Sequence, residues 1–137
     1  MKKIVNVTWQ NNMSFEVNLD NHKIILDAEP EFGGNDLGVR PKPLMLVSLG
    51  GCTGMDVVSI LKKMKMDFDY FNVKIEGDLT EEHPKHYTKM KIIFELKGKN
   101  IDFTKVEKAV ELSLNKYCGV SAVYKKALDL DYEIKIL

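Results

Sequence analysis

The sequence predicts an α+β fold in which antiparallel strand pairs surround one long central helix that carries a cysteine. Three observations predict it. Residues 3–28 and 71–98 alternate apolar and polar side chains in runs separated by short polar turns. Between these strand regions, residues 41–66 (PKPLMLVSLGGCTGMDVVSILKKMKM) hold the only long apolar run. An amphipathic segment from Thr104 and a last alternating stretch at 131–136 close the chain. At 137 residues this is one domain spanning 1–137. With 45% hydrophobic and 29% charged residues the composition is that of a globular protein.

The elements follow in order. Residues 3–9 (KIVNVTW) and 15–19 (FEVNL) alternate, and Gln10, Asn11 and Asn12 between them are turn chemistry, so they read as a hairpin. A second turn at Asp20 and Asn21 leads into a third strand, HKIILDA at 22–28, completing a meander. Residues 29–43 (EPEFGGNDLGVRPKP) gather Pro30, Pro41, Pro43, Gly33, Gly34 and Gly38 into a loop long enough to carry function. Arg40 lies there, the only arginine in the chain. A guanidinium gives planar, two-pronged recognition that lysine cannot, which makes Arg40 a candidate site residue as well as an ordinary surface one.

On a helix, the apolar residues from Leu44 to Met64 cover most of the circumference, which predicts a buried helix. Ser48, Thr53, Asp56 and the glycines interrupt the run too often for a membrane span, which needs roughly 20 nearly uninterrupted apolar residues. Each glycine inside a helix costs about 0.5–1 kcal/mol against alanine. Gly50, Gly51 and Gly54 therefore either admit another backbone or let the chain break and restart near Gly51. In the second case Cys52 sits in a first helical turn, where free N–H groups and the positive dipole end favour a thiolate. Otherwise Cys52 is a small hydrophobe in a core. Asp56, one turn further on the same side, raises a neighbouring thiol's pKa. Thr53 can bond a thiolate or its own helix backbone.

Two long strands follow, 71–80 and 86–98, joined by a polar turn. His83 and His86 in that turn straddle Pro84 with no third ligand near, so they mark a solvated hairpin tip, and no metal or cofactor is expected. Thr104 is the expected helix N-cap, with Glu107 as its capping-box partner, and the helix runs to Tyr117. Cys118 and Gly119 interrupt the pattern, residues 120–128 form a second short helix, and 131–136 form the last strand. Strand pairs with short turns favour antiparallel pairing. A helix apolar on most faces needs more cover than one small sheet provides, so a homodimer is expected.

Charge excludes some partners. Twenty basic and twenty acidic residues cancel, which argues against nucleic acid and anionic membranes. The N-terminus enters a strand pattern at once, so a cytoplasmic location is expected, where the only two cysteines, Cys52 and Cys118, are redox-active or simply reduced. Each adjoins a glycine at a break in a helical pattern. Peroxide reduction by a dithiol needs one thiolate to attack the O–O bond and a second thiol to trap the sulfenic acid.

The segment RPKPLMLVSLGGCTGMDVVSILKKM, followed much later by YCGVSA, resembles the family of osmotically inducible protein C (OsmC) and the organic hydroperoxide resistance proteins. The order of strands and helices matches as well, so the resemblance covers essentially the whole chain. It implies an intertwined α+β homodimer with the cysteine-bearing helices at its centre. It also implies thiol-dependent reduction of apolar organic hydroperoxides in oxidative-stress defence, with Cys52 as peroxidatic and Cys118 as resolving cysteine. The reductant would be a dithiol, such as a lipoyl protein. Peroxidase members hold the thiolate with an arginine from the N-terminal meander and a glutamate about ten residues before the first cysteine. Here the meander has no arginine, and Lys42 stands ten before Cys52. Arg40 offers similar charge from a different place. The segment is closer to a less characterised branch with an RP-x-x-LLL-x-x-LGGCTG pattern. The peroxide site would lie at the dimer interface, in an apolar pocket lined by Met45, Leu49, Met55 and aromatic residues. The competing expectation is a dimer of this fold that binds an apolar small molecule without turnover.

Overall fold

The computed structural model describes all residues, Met1–Leu137. They form two compact units, Met1–Met45 and Leu46–Leu137.

The first unit is the expected meander. Strands β1 (Asn6–Asn11), β2 (Ser14–Leu19) and β3 (His22–Leu26) pair antiparallel in the order β1-β2-β3. Asp20 and Asn21 both take positive φ, 51° and 62°, the backbone that a two-residue turn needs to follow the strands' twist. β1 starts later than the alternation predicts and runs on to Asn11, because a bulge between Trp9 and Asn11 keeps the ladder paired past the turn residues. The 29–43 loop is ordered by Asp27. Its buried carboxylate accepts the N–H groups of Ala28, Asn35 and Leu37 at 2.8, 3.1 and 3.0 Å. The Leu37 bond is the largest cause holding that carboxyl below its ordinary pKa. Gly34 and Gly38 lie against backbone, where a Cβ would stand 2.0 Å from the carbonyl oxygens of Ala28 and Ile25.

In the second unit, helix α1 (Leu44–Lys63) is followed by β4 (Tyr70–Leu79), β5 (Tyr87–Lys97) and α2 (Phe103–Leu112). A π-helical turn (Ser113–Tyr117), α3 (Gly119–Tyr124) and β6 (Asp129–Ile136) complete it. The sheet order is β4-β5-β6. β4 and β5 pair antiparallel as expected, but β6 lies parallel to β5, Lys89 opposite Asp129 through Leu96 opposite Ile136. The expected antiparallel pairing fails there for a physical reason. The two helices between β5 and β6 make a crossover, which returns the chain in the same direction.

The core forms where alternate residues of β5 meet the helices. Met90, Ile92, Phe94 and Leu96 of β5, Leu49, Val57 and Leu61 of α1, and Val106 and Val110 of α2 are all 0% exposed. By length and a mean hydropathy of 1.8, α1 falls in the range of a membrane span, contrary to its reading as too polar for one. Its stripe of Leu49, Val57 and Leu61 is nevertheless committed to this core. The N-cap of α2 is Asp102 and not Thr104. The Asp102 carboxylate accepts the N–H groups of Thr104 and Lys105 at 3.0 and 3.3 Å, a stronger cap than the threonine hydroxyl two residues on.

Phe94→Ala should lower the unfolding free energy by about 3–5 kcal/mol, because the ring has no exposed surface to collapse toward. Asp102→Ala should lower it by only about 0.5–2 kcal/mol. Urea titration followed by circular dichroism measures both, and equal losses would contradict this picture of the core.

Candidate functional site: a thiol pair at a helix start

α1 runs unbroken through Gly50, Gly51 and Gly54. The glycines therefore do not restart a helix. A Cβ on Gly50 or Gly54 would stand 3.2 Å from the side chains of Ile75 and Val73, so these two let α1 lie close on β4, while Gly51 meets nothing. Cys52 is thus a mid-helix residue, and its own helix offers it no free N–H. The expected helix start comes from elsewhere in the fold.

That start is α3. Cys118 is its N-cap, with φ −77° and ψ 106°, and its Sγ accepts the Ser121 N–H at 3.3 Å. The neighbouring Val120 N–H bonds the sulfur of Cys52. One helical turn therefore serves both thiols, with its dipole directed at them. The π-helical turn before it places Ser113 over α1, where Ser113 Oγ donates to Asp56 Oδ2 at 2.9 Å. The two sulfurs and a carboxylate oxygen of Asp56 all lie within 4.8 Å of one another. Both cysteines are free thiols, Cys118 buried and Cys52 half-buried. Joining them into a bond of about 2.05 Å needs at most about 3 Å of approach.

The electrostatics favour the thiol of Cys52. Burial is the main cause that raises its pKa above the ordinary 9.0, followed by the hydrogen bond with Cys118. The Val120 N–H opposes them, and the charges of Cys118 and Asp56 add to the rise. Thr53 takes no part, because its hydroxyl donates back to the Leu49 carbonyl at 2.8 Å.

Arg40 is held inside its own loop. Its Nη2 lies 2.7 Å from Asp36 Oδ1, its Nη1 donates to the Gly38 carbonyl at 2.8 Å, and its Nε lies 3.1 Å from Glu29 Oε1. Two carboxylates thus already balance its charge. His83 and His86 sit at the β4–β5 tip, where His86 Nδ1 lies 2.6 Å from the Pro84 carbonyl.

α1 and β4 also enclose an open apolar groove of about 870 Å³, lined by Val47, Met55, Val58, Phe71, Val73 and Ile75 among others. Met55 belongs to it as expected. Leu49 does not, because it points into the core. Ser113, Val120 and Ser121 were not singled out from the sequence. The one signal for Val120 and Ser121 is the Cys-Gly-Val-Ser order, a small polar side chain followed by a helical stretch, which is an N-cap pattern, and Ser113 has none.

Comparison with known proteins gives four findings. The model of the OsmC family, described as OsmC-like protein, matches residues 33–133. Protein YhfA of Escherichia coli is 30% identical over 132 residues, 96% of each chain. A crystal structure of a hypothetical protein from Aquifex aeolicus superimposes with a TM-score of 0.84 at 31% identity, covering 100% of this chain and 98% of the other. An organic hydroperoxide resistance protein OsmC from Legionella pneumophila shares the fold alone, with a TM-score of 0.68 at 15% identity over 98% and 97% of the two chains.

Alkylation of Cys52 against pH tests the site's electrostatics. The rate should keep climbing beyond pH 9.0, because burial keeps the folded thiol protonated there. The sign for stability follows. A raised thiol pKa contributes stability below the ordinary value, and that stability is lost as pH rises through the raised one. Asp56→Asn should lower the alkylation midpoint by removing a like charge, whereas Arg40→Met should leave it in place. A wild-type midpoint below 9.0 contradicts the burial account, and a rise in Arg40→Met would give that arginine a place beside the thiolate.

Proposed function

The chain belongs to the OsmC-like protein family, and on that premise we propose that it reduces organic hydroperoxides through the Cys52–Cys118 pair, in oxidative-stress defence. The observation that carries this reading is the closeness of the two sulfurs, which share one helix start within the 4.8 Å cluster. Cys52, the half-exposed thiol, is the attacking group. Its thiolate takes the distal oxygen of R–OOH, giving a sulfenic acid and, with one proton, R–OH. The buried Cys118 thiol then attacks that sulfur, expelling water and forming the disulfide. A dithiol such as a lipoyl group restores both thiols. The reaction needs no cofactor, and the reduced cytoplasm is the fitting compartment for free thiols.

The burial that raises the Cys52 pKa must be offset when substrate binds. The Val120 N–H is the group already aimed at the sulfur, so α3 supplies the thiolate stabilisation in this reading. Arg40, engaged by Glu29 and Asp36, keeps the 29–40 loop together. A second reading is a dimer that binds an apolar small molecule without turnover. The raised Cys52 pKa and the apolar groove favour it.

In this proposal the partner in the assembly is a second copy. Val47 and Met55 project from α1 with 65% and 76% of their surface exposed, beside Gly51. Such a stripe calls for cover, and the twofold partner of the same helix is complementary to it.

Three measurements test these statements. Consumption of cumene hydroperoxide with dithiothreitol or a dihydrolipoyl donor should exceed that of hydrogen peroxide, and mass spectrometry should find one Cys52–Cys118 linked peptide pair. Sulfinic acid at Cys52 with Cys118 untouched would remove the resolving step, and absence of turnover would leave the binding reading in its place. By light scattering the protein should be a dimer that the double variant Val47→Glu, Met55→Glu splits. A wild-type mass near 15.7 kDa at micromolar concentration would contradict the dimer.

A further inference from the structure

Asp56 is unexplained by thiol chemistry. A carboxylate within 4.8 Å of the Cys52 sulfur works against forming a thiolate there. No ion pair neutralises it, since the chain's six ion pairs all lie elsewhere. Yet the fold holds Asp56 firmly in that position through Ser113, whose side chain is 0% exposed. Three groups that repel one another as anions, gathered from α1 and the α2–α3 junction, become mutually supportive when a cation lies among them.

We propose that Cys52, Asp56 and Cys118 form a binding site for a single divalent transition ion of the zinc class. The donor set, two sulfurs and one carboxylate oxygen, suits a borderline-soft ion and is a poor one for magnesium or calcium. The spacing suits it as well. Zn–S bonds of about 2.3 Å and Zn–O bonds of about 2.1 Å in a tetrahedron set the ligand atoms about 3.6–3.8 Å apart, and the three atoms already lie within 4.8 Å. Each ligand is also oriented by a second group. Ser121 N–H bonds the Cys118 sulfur, Val120 N–H bonds the Cys52 sulfur, and the Ser113 hydroxyl bonds the Asp56 carboxylate. Oriented ligands of this kind distinguish a built metal site from a chance cluster. With three protein ligands, the fourth position is left to water or to an incoming thiol. The inference does not rest on peroxide reduction. A metal ion would occupy the same sulfurs, so bound ion and peroxide attack exclude each other.

The test uses the full-length protein, reduced and stripped of metal under anaerobic conditions. Titration with Co2+ should develop a thiolate-to-cobalt charge-transfer band that saturates at one ion per chain, and Zn2+ should abolish it by displacement. Cys52→Ser and Cys118→Ser should each remove the band. Asp56→Asn should weaken binding at least about tenfold, and Ser113→Ala about tenfold through the loosened carboxylate. The paired variant His83→Ala, His86→Ala should bind as the wild type does. Circular dichroism accompanies every variant, and if buried Cys118→Ser does not fold, Cys52→Ser and Asp56→Asn decide. The proposal is overturned by absence of the band at excess cobalt, by a band that survives in Cys52→Ser, or by unchanged affinity in Asp56→Asn. Because no peroxide is present, a protein that binds the ion without turnover and one that turns over without binding it are told apart.

Discussion

The structure around the thiols depends on one packing relation, the first turn of α3 set against the middle of α1. A mid-helix cysteine is electrostatically isolated, because every amide around it is already bonded within the helix. Cys52 becomes part of a site only because another helix begins beside it. The π-helical turn at Ser113–Tyr117 makes that possible. A wider turn changes the phase of the chain after α2 and lets it leave the helix in an extended residue, Cys118, before α3 starts. Such turns recur at functional sites because they redirect side chains without breaking the helix that carries them. Here one irregularity brings Ser113 to Asp56 and Cys118 to Cys52 together.

The resulting environment is a balance. Burial and the neighbouring anions keep Cys52 protonated, while Val120 N–H pulls the other way. A free dithiol held like this is protected from indiscriminate oxidation, since the thiolate is the reactive form. Reaction then requires something that tips the balance, whether a substrate that excludes water from the anion and strengthens the N–H bond or a cation that neutralises the cluster. Both routes use the same atoms, which makes the site a choice between chemistries and not a sum of them.

Much of the fold was legible because it rests on periodicity. The meander, the long helix, the β4–β5 pair and the interruption at Cys118 are all local patterns. The parallel β6 was not legible, because direction is set by the crossover and leaves no mark on a strand's own alternation. The cysteines are legible as a pair by their glycine neighbours, but whether Cys52 starts a helix is not, and the helix start beside it belongs to α3. Glycines in a sequence do not say whether they break a helix or admit a neighbour, and here Gly50 and Gly54 admit β4. Asp56 was visible as one turn from Cys52. Its second partner, Ser113, is a long-range contact that no spacing encodes.

The position of Cys52 around α1 joins the two features of that helix. At about 100° per residue, Cys52 and Asp56 fall between the core stripe of Leu49, Thr53 and Val57 and the groove stripe of Met55, Ser59 and Lys62. Cys52 is half-buried beside the groove stripe without lining the groove, whereas Cys118 is enclosed with 3% exposure. In the proposed reaction Cys52 is therefore the sulfur that a peroxide meets first. In the proposed dimer, a second copy set over Val47 and Met55 dries this side of α1. Drying raises the energy of a bare thiolate further, and it also strengthens the Val120 bond and any contact to a cation, since each acts in a lower dielectric. In that reading assembly and thiol chemistry are coupled through one helix.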